Sequence, residues 1–295
     1  MTIKSKIQKN RVLISEIACK KFLNIVQNTK IEKFKYLPYH LQFQSNSFEH
    51  ENNNTNQAKF QIYKRGAIVL VNFGINIGNE LSGNHFAIVL SKSDHPKNSV
   101  LTVVPLSSKN KKIYLPLKDD IYKLVNTSTV KYTIDHILPD VKKWYNIKID
   151  GDKILKKLES NVVLLKELEK ENSYNKENLA KDKRFIEICN ESKILLNDLT
   201  EKEIKFENER EILLKNLNII NEAAKKYDKN QGKNSYAMIQ NIQTISKLKI
   251  MKPINQFDPI GKIYISQESM KKIDIEIIKR FTTIPFNENF DIDFL

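Results

Sequence analysis

Cysteine is nearly missing from this chain: Cys19 and Cys189 are the only two, far apart and outside any CxxC pattern. That excludes a disulfide framework and a cysteine zinc site, and it makes a reducing cytoplasm the expected setting. Long apolar runs are missing too. Nothing approaches the roughly 20 residues of a membrane span, and the opening MTIKSKIQKNRVLISEIACKKF is broken by lysines and Glu16 before a signal-peptide core can form. A soluble, unexported protein with no membrane partner is therefore expected. Proline is absent between Pro139 and Pro253, so long helices are permitted there. Glycine occurs only seven times, yet Gly66, Gly74, Gly78 and Gly83 crowd into one block, where tight loops between strands need positive φ or close backbone approach. Acidic charge falls short: 49 Lys and Arg against 35 Asp and Glu leave a formal net charge of +14. Such an excess attracts polyanions and releases counterions from phosphates, so RNA, DNA or an acidic protein all fit as partners.

What is present suffices for a core. A chain of 295 residues, 40% of them hydrophobic, makes one large domain or two ordinary ones. Residues 11 to 34 carry Val12, Leu13, Ile17, Phe22, Leu23 and Ile25 at mixed three and four spacings, which predicts an amphipathic helix. Residues 44 to 57 are polar and Asn-rich, which predicts a linker or loop. The text then becomes β-branched and short-period: IYKRGAIVLVNFG, HFAIVLSK, SVLTVVPLSSK and KKIYLPL between 62 and 117 predict strands of a small antiparallel barrel. From Lys153 to Lys229 the chain is dense in Glu, Lys, Leu and Ile, with Phe206, Leu213, Ile220 and Tyr227 recurring every seven residues. Thr200 and Glu203 read as a capping box, and NSYN at 172 to 175 as a break between two helices of a coiled-coil hairpin. Strand-like text returns at 236 to 250 and 261 to 266. Ser266 then reads as the N-cap of a last helix whose Met270, Ile273, Ile277 and Ile278 share one face, before an acidic tail at 287 to 295.

The stretch RGAIVLVNFGINIGNELSGNHFAIVLSK, followed by LTVVPLSSK and YLPL, resembles the PemK/MazF family of toxin endoribonucleases. IQNIQTISKLKI at 239 to 250 resembles the family's later strand, and SMKKIDIEIIKRF its terminal helix. The resemblance covers about 64 to 118 and 237 to 282. It implies an α+β fold: a small SH3-like antiparallel β-barrel with an inserted long α-helical coiled-coil hairpin and an N-terminal helix. The expected domains are an N-terminal extension over 1 to 61, a barrel over 62 to 120 and 237 to 295, and an insertion over 121 to 236 that is helical from about 152 to 230.

The family cuts single-stranded RNA by letting a ribose 2′-OH attack its own phosphate, with neither metal nor other cofactor. That chemistry needs a base, an acid and donors for the phosphoryl oxygens. The family's Arg-Pro pair aligns with His85 and Phe86, and its catalytic Thr or Ser with Ser107. His85 thus stands where the family has an arginine, and histidine can move a proton near neutral pH, where arginine supplies fixed charge. Lys109 is the expected cation for the phosphoryl oxygens, with Ser108 as a further hydroxyl. Glu80, Ser82 and Asn84 on the glycine-rich loop, Lys111 and Lys112 beyond the third strand, and Gln243 and Thr244 on the later strand are the expected RNA contacts. A histidine beside a strand is also commonly a satisfied structural residue, and serines before lysines are common turn residues. The resemblance further implies a homodimer and a protein antitoxin. The same fold occurs in CcdB toxins, which act by protein contact, so a non-catalytic toxin or RNA-binding protein is the alternative.

Overall fold

The computed structural model describes residues 3–53, 59–117, 121–171, 176–228, 233–256 and 258–283. The described residues form six strands and six α-helices, joined in places by 3-10 turns. The helices are α1 (Ile3–Asn28), α2 (Leu37–Asn53), α3 (Ile121–Glu171), the single turn α4 (Lys176–Leu179), α5 (Lys183–Asp228) and α6 (Gln267–Phe281). The strands are β1 (Ile68–Asn72), β2 (Asn84–Val89), β3 (Val100–Ser107), β4 (Leu115–Pro116), β5 (Tyr236–Ala237) and β6 (Gln243–Ser246). The chain divides into two compact units: residues 1–125, 230–253 and 259–295 form one, residues 126–229 and 254–258 the other.

In the first unit β3 is the hub of an antiparallel sheet. It pairs with β2 on one side (Ala87 opposite Pro105, Val89 opposite Val103). On its other side β6 takes the N-terminal half (Leu101 opposite Ile245) and β5 the C-terminal end (Leu106 opposite Ala237). β1 pairs with β2, Ile68 opposite Ile88. Alternation sends Val69, Val71, Ala87, Val89, Leu101 and Val103 to one face, where they form the main core with Tyr63, Phe73 and Ile245. The other face is covered as well: Ile68, Ile88 and Val104 are fully buried. The uninterrupted apolar text of these strands follows from that double burial. The outer edge of β1 is met by residues 250 to 265 through single bridges, Val71 to Ile250 and Ala67 to Tyr264, and not by a strand ladder. The architecture is thus a mixed helical and antiparallel six-stranded fold.

Several local expectations need correction. The polar stretch from 44 continues α2 to Asn53, because a buried Leu37 anchors its first turn and Ser47 Oγ donates back to the Phe43 carbonyl at 2.9 Å; positions 54 to 57 lie outside the described residues. α1 stops at Asn28, and 32–36 is a 3-10 turn. Thr200 and Glu203 sit inside α5, where Thr200 Oγ1 donates to the Leu196 carbonyl at 2.9 Å; a hydroxyl bonding back one turn gives the same spacing as a cap. The insertion is helical from Ile121, well before 152, with Pro139 inside α3. Of the strand-like text at 111 to 117 only Leu115–Pro116 pairs, 239–241 and 247–249 are 3-10 turns, and 261 to 266 contributes one bridge. The break expected at 172 to 175 and the tail at 287 to 295 lie outside the described residues.

In the second unit α3 and α5 run antiparallel. Trp144 stacks on Phe206 at 4.9 Å, Ile137 packs on Ile220 beside Leu213, and the buried Asn161 donates to Glu191 at 3.0 Å and Ser192 at 3.1 Å. Phe206, Leu213 and Ile220 of the row recurring every seven residues therefore face α3. At the end of α5, Asp258 is wholly buried against the Tyr227 hydroxyl at 2.8 Å and Lys226 at 3.1 Å. Burial first, then the Asp258 charge, pushes the Tyr227 phenol far above its ordinary range.

Candidate active site

The site is built at one end of the sheet. The β2–β3 pairing ends at Ala87 opposite Pro105, two residues short of His85 and of Ser107, and alternation puts both of these on the face of Ala87. The half-buried His85 ring meets Phe73 edge-on at 6.2 Å. Its Nδ1 lies 3.2 Å from the Leu106 carbonyl and its Nε2 3.2 Å from the Ser82 carbonyl. A neutral imidazole donates to only one of these oxygens, whereas an imidazolium donates to both. Ser107 Oγ accepts from the Lys109 backbone N–H at 3.0 Å, so this hydroxyl turns the chain out of β3. Ser108, Lys109, Lys111 and Lys112 follow on an exposed loop, and Lys111 Nζ stands 5.4 Å from the Tyr114 ring.

The loop 73–83 closes over this end. Gly74 and Gly83 both hold positive φ (82° and 92°) and bond to each other, Gly83 N–H to the Gly74 carbonyl at 2.7 Å. Asn76 braces the loop from within: its amide donates to the Phe73 and Leu81 carbonyls at 3.2 and 2.6 Å, and its N–H to Ser82 Oγ at 3.0 Å. Glu80 and Asn84 are exposed. From the N-terminal extension, Lys33 Nζ donates to the Asn76 and Gly78 carbonyls at 2.8 and 2.7 Å. The His40 ring lies so close to Gly74 that a Cβ there would overlap it. Burial first, then the charge of Lys249, holds the His40 imidazole below its ordinary pKa.

The model of the PemK-like, MazF-like toxins of type II toxin-antitoxin systems matches residues 64–138, about a quarter of the chain. The match supports assignment to the PemK/MazF family. No curated protein and no solved structure gives a significant match.

The PemK/MazF match contains His85, Ser107, Ser108, Lys109, Lys111, Lys112, Glu80, Ser82 and Asn84. Gln243 and Thr244 lie outside it, and the fold does not gather them with His85. Gln243 pairs with Val103, and Thr244 with Thr102, their hydroxyls 3.0 Å apart. That is four or five residues along β3 from Ser107, roughly 13–17 Å at strand rise. The family's RG start is structural here: Gly66 has φ 81° and donates to the Val89 carbonyl at 2.8 Å, while Arg65 donates to the Leu90 carbonyl and pairs with Asp274 of α6. Among the described residues no group of three or more His, Cys, Asp and Glu is arranged to hold a metal ion, and no helix is long and apolar enough to cross a membrane. Sequence reasoning missed Lys33, Tyr36, Tyr39 and His40, which reach the loop from outside the matched segment. The aromatic and basic run KFKYLPYH, which spans the 3-10 turn and the first turn of α2, was the available signal.

Proposed function

We propose that this chain is the toxin of a type II toxin-antitoxin pair and that it cuts single-stranded RNA without a metal. The ribose 2′-oxygen bonds to phosphorus, the P–O5′ bond breaks, one proton leaves the 2′-hydroxyl and one reaches the departing 5′-oxygen. The products are a 2′,3′-cyclic phosphate and a 5′-hydroxyl. His85 carries the proton transfer, and Ser107 with Lys109 donates to the phosphoryl oxygens. The observation that carries this reading is the contact of His85 Nδ1 with the Leu106 carbonyl, which brings the imidazole beside the backbone next to Ser107 inside the matched segment. For His85 to act, one ring nitrogen must exchange its carbonyl for substrate. Nε2 is the one that can, since its partner Ser82 sits on the loop and not in the sheet. Ser108, Lys111, Lys112, Glu80 and Asn84 then flank the RNA. The fuller reading is a cytoplasmic homodimer of closed SH3-like barrels, each interrupted by a coiled-coil hairpin and neutralised by a protein antitoxin.

A second reading draws on a specific observation: both ring nitrogens of His85 already face carbonyls, and the Ser107 hydroxyl already accepts a backbone N–H. A toxin that binds RNA or a protein target without cutting fits that occupancy. The deciding experiment incubates purified protein with a long single-stranded RNA in EDTA and maps fragment ends. Cuts with 5′-hydroxyl ends, slowed roughly 10²–10⁴-fold in His85→Ala as loss of general acid-base catalysis predicts, support the enzyme. Intact RNA with folded wild-type protein sinks it.

A further inference from the structure

A cleft of about 250 Å³ opens between the N-terminal extension and the strand ends that hold His85. It is lined by Tyr36, Tyr39 and His40 from the extension and by Asn72, Asn84 and the loop residues Gly74, Ile75 and Gly83 from the sheet. Three features are unusual for a structural joint. Tyr36 and Tyr39 are 61% and 70% exposed, so neither ring is serving the core. Asn72 and Asn84 are directly paired across β1 and β2, which puts their amides on one side of the sheet; the Asn72 oxygen accepts from the Gly74 N–H at 2.9 Å, so Asn72 offers its NH2 as a donor. His40 Nδ1 is buried with no hydrogen-bond partner among the described residues, and such a group ordinarily finds one.

We infer that this cleft seats one unpaired nucleobase of single-stranded RNA, stacked on Tyr36 and Tyr39 and held at its edge by Asn72 and Asn84. The inference rests on the RNA reading above and adds to it a subsite supplied by the N-terminal extension, which the family match does not include. Size favours one base: the volume lies below the roughly 300–1,000 Å³ of pockets for drug-sized ligands. Chemistry favours it too, since planar aromatic faces give sequence-tolerant stacking and an amide presents a donor and an acceptor together to a base edge. Gly83 leaves open space where a Cβ would stand, so a flat ligand can approach the backbone there, whereas the same space at Gly74 is taken by the His40 ring. Asn84 precedes His85 in β2, so a base in the cleft belongs to a nucleotide flanking the one that reacts.

The test uses the full chain and short fluorescein-labelled 2′-O-methyl RNAs, which lack the attacking hydroxyl and so stay intact. Wild type is compared with the double variants Tyr36→Ala with Tyr39→Ala and Tyr36→Phe with Tyr39→Phe. The alanine pair is expected to weaken binding roughly ten-fold or more, the usual consequence of losing a stacked base. The phenylalanine pair should retain it, and the salt dependence should be unchanged because no phosphate contact is removed. Equal affinity of wild type and the alanine pair overturns the cleft and leaves the RNA reading standing. So does loss of binding in the phenylalanine pair, since stacking survives there. A wild type that binds none of these RNAs overturns both.

Discussion

The sheet unit and the helical hairpin solve burial in opposite ways. In the sheet, β1 to β3 are covered on both faces, so Ile68, Ile88, Val89 and Val104 are fully buried though the strands are five to eight residues long. In the hairpin, α3 and α5 run 51 and 46 residues, yet Ile194, Ile204 and Val163 remain 68%, 59% and 54% exposed. Two helices can cover only the stripe each turns toward the other, whereas a sheet with cover on both faces leaves no apolar side open. Precise placement of a reacting group needs the first kind of packing, and His85 and Ser107, the groups proposed above to react, are found there.

That contrast can be broken hardest at the buried ion pair of the sheet unit. Lys247 Nζ donates to Asp94 at 2.8 Å and to the Gln61 carbonyl at 2.9 Å, with the two side chains 2% and 0% exposed. Asp94→Asn strands the ammonium and should cost about 3–5 kcal/mol in urea unfolding, the usual penalty for breaking a buried pair. Burial pushes the Asp94 carboxyl up, but hydrogen bonds from Lys247, Tyr63 N–H and His95 N–H outweigh it and leave the pKa below its ordinary value. Its contribution is therefore present above the unfolded value near ~3.9 and is lost as pH falls through the lower folded value. Acid titration of stability should show wild type losing more than Asp94→Asn below that point. A smaller effect sharpens the same comparison: Ile88→Ala should cost about 2–5 kcal/mol, while Ile194→Ala in α5 should stay within about 0.5 kcal/mol. Equal costs at the two positions would erase the distinction.

The sheet was legible because period-2 text and clustered glycines are local signals, and Ser266 capping α6 is local as well: its side chain accepts from Ser269 N–H at 3.2 Å. That His85 and Ser107 fall on neighbouring antiparallel strands was legible by order along the chain. What stayed hidden depends on tertiary partners. Whether Thr200 starts a helix or rides inside one is decided by residues 183 to 199, not by the T-x-x-E itself. Gln243 and Thr244 aligned with a family strand, but only the β3–β6 register shows them at the other end of β3. The occupancy of both His85 nitrogens comes from carbonyls, which no side-chain pattern encodes.

The smallest predicted effect lies on the loop 73–83, which belongs to the sheet unit by sequence but is held by side chains. Asn76 braces it from inside, and Lys33 clamps it from outside, half-buried, with two charge-assisted bonds to the Asn76 and Gly78 carbonyls. Lys33→Met keeps the aliphatic stem and removes both bonds. Much of their strength is returned by water at an accessible site, so the expected cost is about 1 kcal/mol and local. Amide hydrogen exchange in 74–83 should rise roughly five-fold, while the urea midpoint of the whole protein stays within experimental scatter, because local openings draw on the low end of the stability range. A drop in the global midpoint as large as that of Ile88→Ala would mean that the loop is part of the sheet's cooperative core. His85 Nε2 could then not be released from Ser82 without unfolding the site, and the proposed catalytic role of His85 would fall with it.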